Sequence, residues 1–228
     1  MYFLAFLVSP FKRLSEKLRH AGEFVQCGSI RILLLLQPWL QCKTNFPKIY
    51  GFYNQFGSRK ILFVANHRSN LDTFLLISYI PGLRGLAKSS LFHNVFFAPF
   101  MWVVGFIPVD KGRPESFLTT LKLLKTQLLD RNRAVLYFPE HTRCAKGFDS
   151  VSKFSSSVFM GAIESQALVV PLVIKRTDQL MGKGDLFLNP YEPVEIKMLD
   201  PIKASEFDDA IVLRDFVWKQ TRVAFNAV

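Results

Sequence analysis

From residue 61 onward, short apolar runs alternate with longer stretches in which apolar residues recur every three or four positions. Strands are predicted for the apolar runs ILFVAN, RGLAK, GFIPVD, AVLYFP, ALVVPLVIK and PVEIKML, and for the short run DLFLN. Helices are predicted for the periodic stretches LDTFLLISYI, SSLFHNVFFAPFMWVV (broken at Pro99), PESFLTTLKLLKTQLLDRN, VSKFSSSVFMGAIESQ and EFDDAIVLRDFVWKQTRVAF. This alternation predicts an α/β fold with a mostly parallel central sheet flanked by helices.

The N-terminal region has a different pattern. One helical face collects the apolar side chains of Leu4, Leu7, Val8, Phe11, Leu14 and Leu18. The next apolar segment, EFVQCGSIRILLLLQPWLQ, is interrupted by Arg31 and ends at Pro38. Neither segment offers the about 20 apolar residues of a membrane span. We therefore predict an amphipathic helical hairpin over residues 1–45, lying in a membrane interface, and the α/β domain over residues 46–228. Packing of both helices on the protein's own core is the alternative.

Composition narrows the possible partners. Half of the 228 residues are hydrophobic, 23 of them Phe, which excludes a disordered chain. The 29 Lys and Arg outnumber 18 Asp and Glu, giving a net charge of +11. A basic, apolar chain suits nucleic acid, an anionic membrane or a phosphorylated substrate. The three cysteines form no C-x-x-C pair and no zinc spacing, so a reducing compartment is expected and a metal site is not.

The first chemically informative stretch is NHRSNLD, directly after the predicted strand ILFVA. His67 and Asp72 are five residues apart, so on one continuous helix their side chains would diverge by about 140°. A turn through NHRSN and a helix start near Ser69 or Asn70 would let the two meet. The carboxylate would then fix one ring nitrogen and leave the other free as a general base. A turn histidine beside a helix-start carboxylate is the alternative.

Two other predicted strands end in charged residues. Glu140 and Arg143 follow AVLYFP, and Asp110, Lys111 and Arg113 follow GFIPV. Open α/β sheets place ligands at the carboxyl ends of their strands, and clustered cations suit a phosphate. Each cation alone could be a solvated loop charge, but together they favour a phosphate site.

The order of NHRSNLD, GFIPVDK, FPEHTRC and VVPLVI resembles the four motifs of the 1-acylglycerol-3-phosphate acyltransferases and of the wider glycerolipid acyltransferase group. The resemblance covers about residues 60–200. It implies that His67 is the general base and Asp72 its orienting partner. It also implies an acceptor-binding set, to which the strand-end pattern adds Arg113: Lys111, Arg113, Glu140, Thr142 and Arg143. Pro171 belongs to the motif linked to acyl-chain placement.

This chain departs from the family pattern at three positions. His141 replaces a glycine, Cys144 a serine and Lys111 an arginine. A positive φ at residue 141 would cost a histidine about 1–2 kcal/mol more than a glycine. Lys111 keeps the charge but loses the planar fork of an arginine. An altered acceptor head group is therefore possible.

The resemblance implies an acyltransferase that forms phosphatidic acid from lysophosphatidic acid and an acyl thioester. The thioester would be carried by coenzyme A or acyl carrier protein, with no metal or other cofactor. Expected partners are these substrates and the bilayer at its cytoplasmic face, and not nucleic acid. Phe92, Phe96, Phe97 and Phe100 could line the acyl path or form ordinary core. An acyltransferase for another lysolipid, such as lyso-ornithine lipid, and a non-catalytic basic membrane-binding protein are the alternatives.

Overall fold

The structure is a computed structural model that describes residues 27–32, 41–46, 60–95, 98, 101, 106–109, 114–129, 134–185, 187–189 and 193–227. Most of the predicted N-terminal hairpin lies outside these residues, although residues 27–32 are helical. Among the described residues, no helix has the length and apolar character needed to cross a membrane.

In the part of the chain that the structure describes, a central sheet of eight strands organises the domain. The strands are β1 (Cys42–Thr44), β2 (Ile61–Ala65), β3 (Leu83–Lys88), β4 (Ile107–Val109), β5 (Ala134–Tyr137), β6 (Leu168–Lys175), β7 (Val194–Met198) and β8 (Ile202–Lys203). Their order is β1-β7-β6-β2-β5-β3-β4, and β8 also pairs with β6. Pairing is parallel from β6 to β4 and between β1 and β7, whereas β7 and β8 run antiparallel to β6. The predicted mostly parallel sheet is confirmed.

Helices cover both faces of the sheet. They are α1 (Leu71–Tyr79), α2 (Pro114–Leu129), α3 (Ser157–Glu164), α4 (Thr177–Leu180) and α5 (Ala210–Asn226), with 3₁₀ turns at Ser89–His93 and Ala204–Glu206. The first apolar layer joins α1 to one sheet face, and the second joins α2, α3 and α5 to the other. Each layer buries apolar side chains that would otherwise face water, which holds the sheet between them.

Strand β2 shows why this chain forms a buried central strand. Its five residues are all apolar and buried, as expected for a parallel strand covered on both faces. Ile61, Phe63 and Ala65 enter the first apolar layer, whereas Leu62 and Val64 enter the second. The residue that follows Ala65 and Asn66 is His67, so this strand delivers the candidate base to the carboxyl edge of the sheet.

Several details differ from the sequence prediction, which also did not include β8 and α4. Residues 42–44 form β1, so the sheet begins before the predicted boundary at residue 46. The described part of DLFLN is not a strand, because Asp185 closes a turn by accepting the backbone N–H of Gly182. Residues 151–156 are not helical, since Ser152 and Ser155 donate their backbone N–H groups to the loop after β5. The predicted helix after β3 starts as the 3₁₀ turn Ser89–His93.

Candidate active site

The loop between β2 and α1 makes the bend that the sequence predicted. Strand β2 ends at Ala65, and α1 begins at Leu71 after Asn70. Asn66 is buried and fixes this bend, because its side-chain amide exchanges two hydrogen bonds of 2.8 Å with the backbone of Ile174 on β6. The loop is therefore anchored to the neighbouring strand immediately before His67.

His67 and Asp72 are in direct contact, as predicted. His67 Nδ1 lies 2.9 Å from Asp72 Oδ2. The same carboxylate oxygen accepts the backbone N–H groups of Arg68 at 2.7 Å and Ser69 at 2.8 Å. Because this oxygen is already an acceptor, Nδ1 of a neutral His67 carries the hydrogen and Nε2 keeps its lone pair. The dyad thus has the tautomer that a general base needs.

Asp72 is held on its second oxygen by a residue far along the chain. The Asp72 side chain is fully buried, and its Oδ1 accepts the hydroxyl of Thr177 at 2.6 Å. Thr177 is the first residue of α4, and Arg176 before it has a left-handed backbone with φ of 65°. Four hydrogen bonds together fix the carboxylate and compensate for its removal from water.

The loop after β5 packs around His67. The ring of Phe138 stacks on the imidazole with centroids 4.1 Å apart, and the backbone N–H of Cys144 donates to the His67 carbonyl at 3.0 Å. The His67 side chain remains 20% exposed. Its orientation is therefore fixed on two sides while the ring stays accessible to a substrate.

Glu140 holds backbone groups. Its Oε2 accepts the backbone N–H of His67 at 3.3 Å, and its Oε1 accepts that of Ser152 at 3.0 Å. Burial raises the pKa of this carboxyl group from the usual 4.5 to about 7, despite the two hydrogen bonds that favour its charged form. In this geometry Glu140 holds the backbone of His67, and its predicted contact with the acceptor stays a prediction.

His141 has the positive φ that its family position suggested. Its φ is 60°, in the left-handed region where glycine is the least strained residue. Its Nδ1 lies 3.3 Å from the hydroxyl of Tyr137, which in turn lies 3.2 Å from that of Ser157. The imidazole therefore points toward the start of α3, while Phe138 of the same loop contacts His67.

Of the four other residues predicted to bind the acceptor, the structure describes two. Thr142 is exposed, and Arg143 is half-buried with no ion-pair partner among the residues that the structure describes. Arg143 is thus a cation available beside the dyad loop. Lys111 and Arg113 lie outside the described residues, so their predicted phosphate contacts stay predictions.

The structure adds a buried ion pair that the sequence analysis missed. Arg68 is 5% exposed, and its Nε donates to Asp178 Oδ1 at 2.6 Å. Asp178 also accepts the backbone N–H of Gly147 at 2.9 Å, and Arg68 lies over the ring of Phe225. Burial opposes ionisation of Asp178, but Arg68 and Gly147 lower its pKa below the usual range. The pair ties the loops after β2, β5 and β6 together around the dyad.

A sequence signal for these residues did exist. Thr177 and Asp178 are polar residues that closely follow the apolar strand β6, the same pattern that identified His67 and Glu140 at the ends of β2 and β5. Applying that criterion to every predicted parallel strand would have included both.

Of the residues predicted to place the acyl chain, the structure describes Phe92 and Pro171, which lie in different parts of the fold. Phe92 is buried in the first apolar layer, whereas Phe96, Phe97 and Phe100 lie outside the described residues. Pro171 lines a cavity of about 410 Å³ near β8 and α5, together with Leu199, Ile202, Phe207 and Phe216. No dyad residue lines this cavity, so the predicted role of Pro171 in acyl placement stays a prediction.

An imidazole held by a carboxylate at the carboxyl edge of a parallel sheet is an arrangement that can abstract a proton from a bound hydroxyl. Comparison with known proteins gives this site a family. The profile of the Acyltransferase family matches residues 41–175, and the chain belongs to that family.

Three proteins similar to this chain are described as acyltransferases of a 1-acylglycerophosphate. The 1-acyl-sn-glycerol-3-phosphate acyltransferase of Cocos nucifera is 22% identical over 196 residues, covering 78% of this chain and 63% of that enzyme. The enzyme of that name from Saccharomyces cerevisiae is 26% identical, covering 72% and 56%. Among solved structures, the 1-acyl-sn-glycerophosphate acyltransferase PlsC of Thermotoga maritima superposes with a TM-score of 0.75 at 20% identity, covering 99% of this chain and 92% of that one. The matches with the two curated enzymes span less than two thirds of their length.

Proposed function

We propose that the protein transfers a fatty acyl group from an acyl thioester to the free hydroxyl of lysophosphatidic acid, giving phosphatidic acid. The observation that carries this proposal is the 2.9 Å contact between His67 and Asp72 at the carboxyl edge of the sheet. Membership of the Acyltransferase family supplies the reaction class, and its similar proteins are described as acting on 1-acylglycerol-3-phosphate.

The dyad accounts for the proton movements. Nε2 of His67 takes the proton of the acceptor hydroxyl as its oxygen bonds to the thioester carbonyl carbon. Asp72 stabilises the imidazolium through Nδ1. The carbon–sulfur bond then breaks, and the imidazolium returns the proton to the departing thiolate. Because the acceptor hydroxyl attacks the thioester directly, the ester and the free thiol form without an acyl-enzyme.

Arg143 is the proposed ligand of the acceptor phosphate. It lies on the loop that packs around His67, and a guanidinium can bind a phosphate through two parallel hydrogen bonds. Lys111 and Arg113, predicted at the end of β4, would add charge on the same side. The acyl thioester of coenzyme A or of a carrier protein is the proposed donor, and the cytoplasmic membrane face the proposed location.

A different lysolipid acceptor is the second candidate. It is favoured by His141, which occupies a strained backbone position where the family pattern has a glycine. An imidazole there changes the size and polarity of the loop that also carries Arg143. Arg143 would then bind the phosphate of another lysophospholipid. A lyso-ornithine lipid would have to be recognised by other residues.

An acceptor series separates the two candidates. Free thiol is measured with one acyl-coenzyme A and with lysophosphatidic acid, lysophosphatidylcholine or lyso-ornithine lipid in turn. We expect the highest kcat/KM for lysophosphatidic acid. Arg143→Lys should raise the KM for that acceptor more than the KM for the thioester, because the bidentate contact is lost. A preference for another acceptor, or a change in the thioester KM alone, would reject the assignment.

A further inference from the structure

Two neighbouring loops expose large apolar side chains at the edge of the sheet that carries the dyad. Phe148, in the loop after β5, is 42% exposed, and Phe187 and Leu188, between β6 and β7, are 83% and 44% exposed. The two loops are joined by an ion pair of 2.8 Å between Lys146 and Asp185. They therefore form one surface, residues 145–149, 181–185 and 187–189, which we call the apolar edge.

The apolar edge is coupled to the active site. The backbone carbonyl of Phe148 accepts Arg68 Nη2 at 2.7 Å, and Gly147 donates to Asp178. Arg68 belongs to the dyad loop and donates its backbone N–H to Asp72. Phe148 therefore contacts Arg68 directly, and Arg68 is part of the bend that holds His67.

The charges around these apolar side chains leave a small positive excess. Lys146 and Asp185 are paired with each other, and Asp178 is buried against Arg68. Among the other described residues of this surface and its border, Lys183 and Arg176 are exposed cations, against the exposed carboxylate of Asp149. Exposed aromatic and aliphatic side chains flanked by lysine are the composition that binds the interface of an anionic bilayer.

We propose that the apolar edge is a lipid contact, in which Phe187 and Leu188 enter the head-group region of an anionic membrane. The inference rests on the proposed function, since a lipid acceptor must pass from a bilayer to His67. This contact is separate from the predicted N-terminal hairpin and orients the dyad toward the membrane surface.

An environment-sensitive fluorophore tests the contact directly. It is attached to Leu188→Cys or, as a matched control, to Val212→Cys, which is 56% exposed near the start of α5. Native Cys27 and Cys144 are buried, and Cys42 is replaced by serine in both variants. Vesicles of phosphatidylcholine, with and without phosphatidylglycerol, are added at low salt.

A blue shift at residue 188 with the anionic vesicles, and none at residue 212, is the expected result. Replacing Lys183 and Arg176 by glutamine, which leaves the Lys146–Asp185 pair intact, should weaken binding to these vesicles by roughly tenfold at low salt and by less at high salt. No shift at residue 188 while the protein floats with the vesicles, or equal shifts at both positions, would overturn the proposal.

Turnover separates this inference from the proposed function. Phe187→Ser with Leu188→Ser should keep the parent rate on a short-chain acceptor below its micelle concentration. The same variant should lose at least about tenfold on a long-chain acceptor embedded in vesicles, because apolar burial in the membrane is lost. Equal rates for variant and parent on vesicles would contradict the lipid contact. Absent turnover of the parent on both acceptors would contradict the proposed function and leave the fluorescence result standing.

Discussion

Replacement of Asp72 by asparagine isolates the charge of the dyad. Asparagine has the shape of aspartate, so its carbonyl oxygen can accept from His67, Arg68 and Ser69 as Oδ2 does now. Its amide group would then face the Thr177 hydroxyl, which can rotate and accept. We expect the packing to survive while the negative charge is lost.

The expected effect follows from the geometry. With Nδ1 and Oδ2 2.9 Å apart, the two charge centres are about 4 Å apart, and at an effective dielectric constant of about 20 their attraction is worth about 4 kcal/mol. In the proposed mechanism, that energy stabilises the imidazolium formed during acyl transfer and is absent with asparagine. We therefore expect kcat to fall by about a thousandfold. Thr177→Val, which keeps the charge and removes one hydrogen bond, should lower kcat by only about tenfold.

The assay follows thiol release at saturating acceptor and thioester, with circular dichroism melting of each variant as the control for folding. The two variants should melt within a few degrees of each other. A kcat for Asp72→Asn within about threefold of the parent would refute the electrostatic role of Asp72. A greater loss for Thr177→Val than for Asp72→Asn would show that hydrogen bonding to Oδ1, and not the charge, dominates.

Two further predictions concern stability. Asp178→Ala should lower the free energy of unfolding by about 3–5 kcal/mol, because Arg68 is left as a buried guanidinium without its charge partner; urea denaturation measures this, and a loss below about 1 kcal/mol would contradict it. Glu140→Gln should flatten the pH dependence of stability between about pH 5 and 7. The pKa of Glu140 is raised to about 7, so between these pH values the folded parent binds a proton that the unfolded chain does not. Ionisation of Glu140 therefore makes the free energy of unfolding fall as pH rises, by at most about 1.4 kcal/mol per pH unit. Parallel stability curves for parent and variant between these pH values would argue against the raised pKa.

The local pattern of apolar and polar residues predicted most of the sheet and the bend between β2 and α1. The apolar run before Asn66 and the polar turn after it define where β2 ends and α1 begins, and those two points place His67 beside Asp72. This geometry depends on residues five apart in sequence, so it needed no knowledge of the tertiary fold.

The support of the dyad depends on contacts that are distant in sequence. Thr177 and Asp178 lie 105 and 110 residues from their partners Asp72 and Arg68. They reach those partners only because β6 pairs directly with β2. The order β6-β2-β5 is a property of the whole sheet, and hydrophobic periodicity carries no information about strand order. Glu140 illustrates a different limit, since its type and position predicted a ligand whereas its oxygens accept backbone N–H groups.

The most direct test of the account is the formation of phosphatidic acid by the purified protein and by its His67→Ala variant, with lysophosphatidic acid and acyl-coenzyme A. His93→Ala, at an exposed histidine in the 3₁₀ turn after β3, is the matched control. We predict one phosphatidic acid per free thiol for the parent and for His93→Ala, and a loss of at least about a thousandfold for His67→Ala. A folded His67→Ala variant that makes phosphatidic acid at near the parent rate would contradict the assignment of His67 as the base.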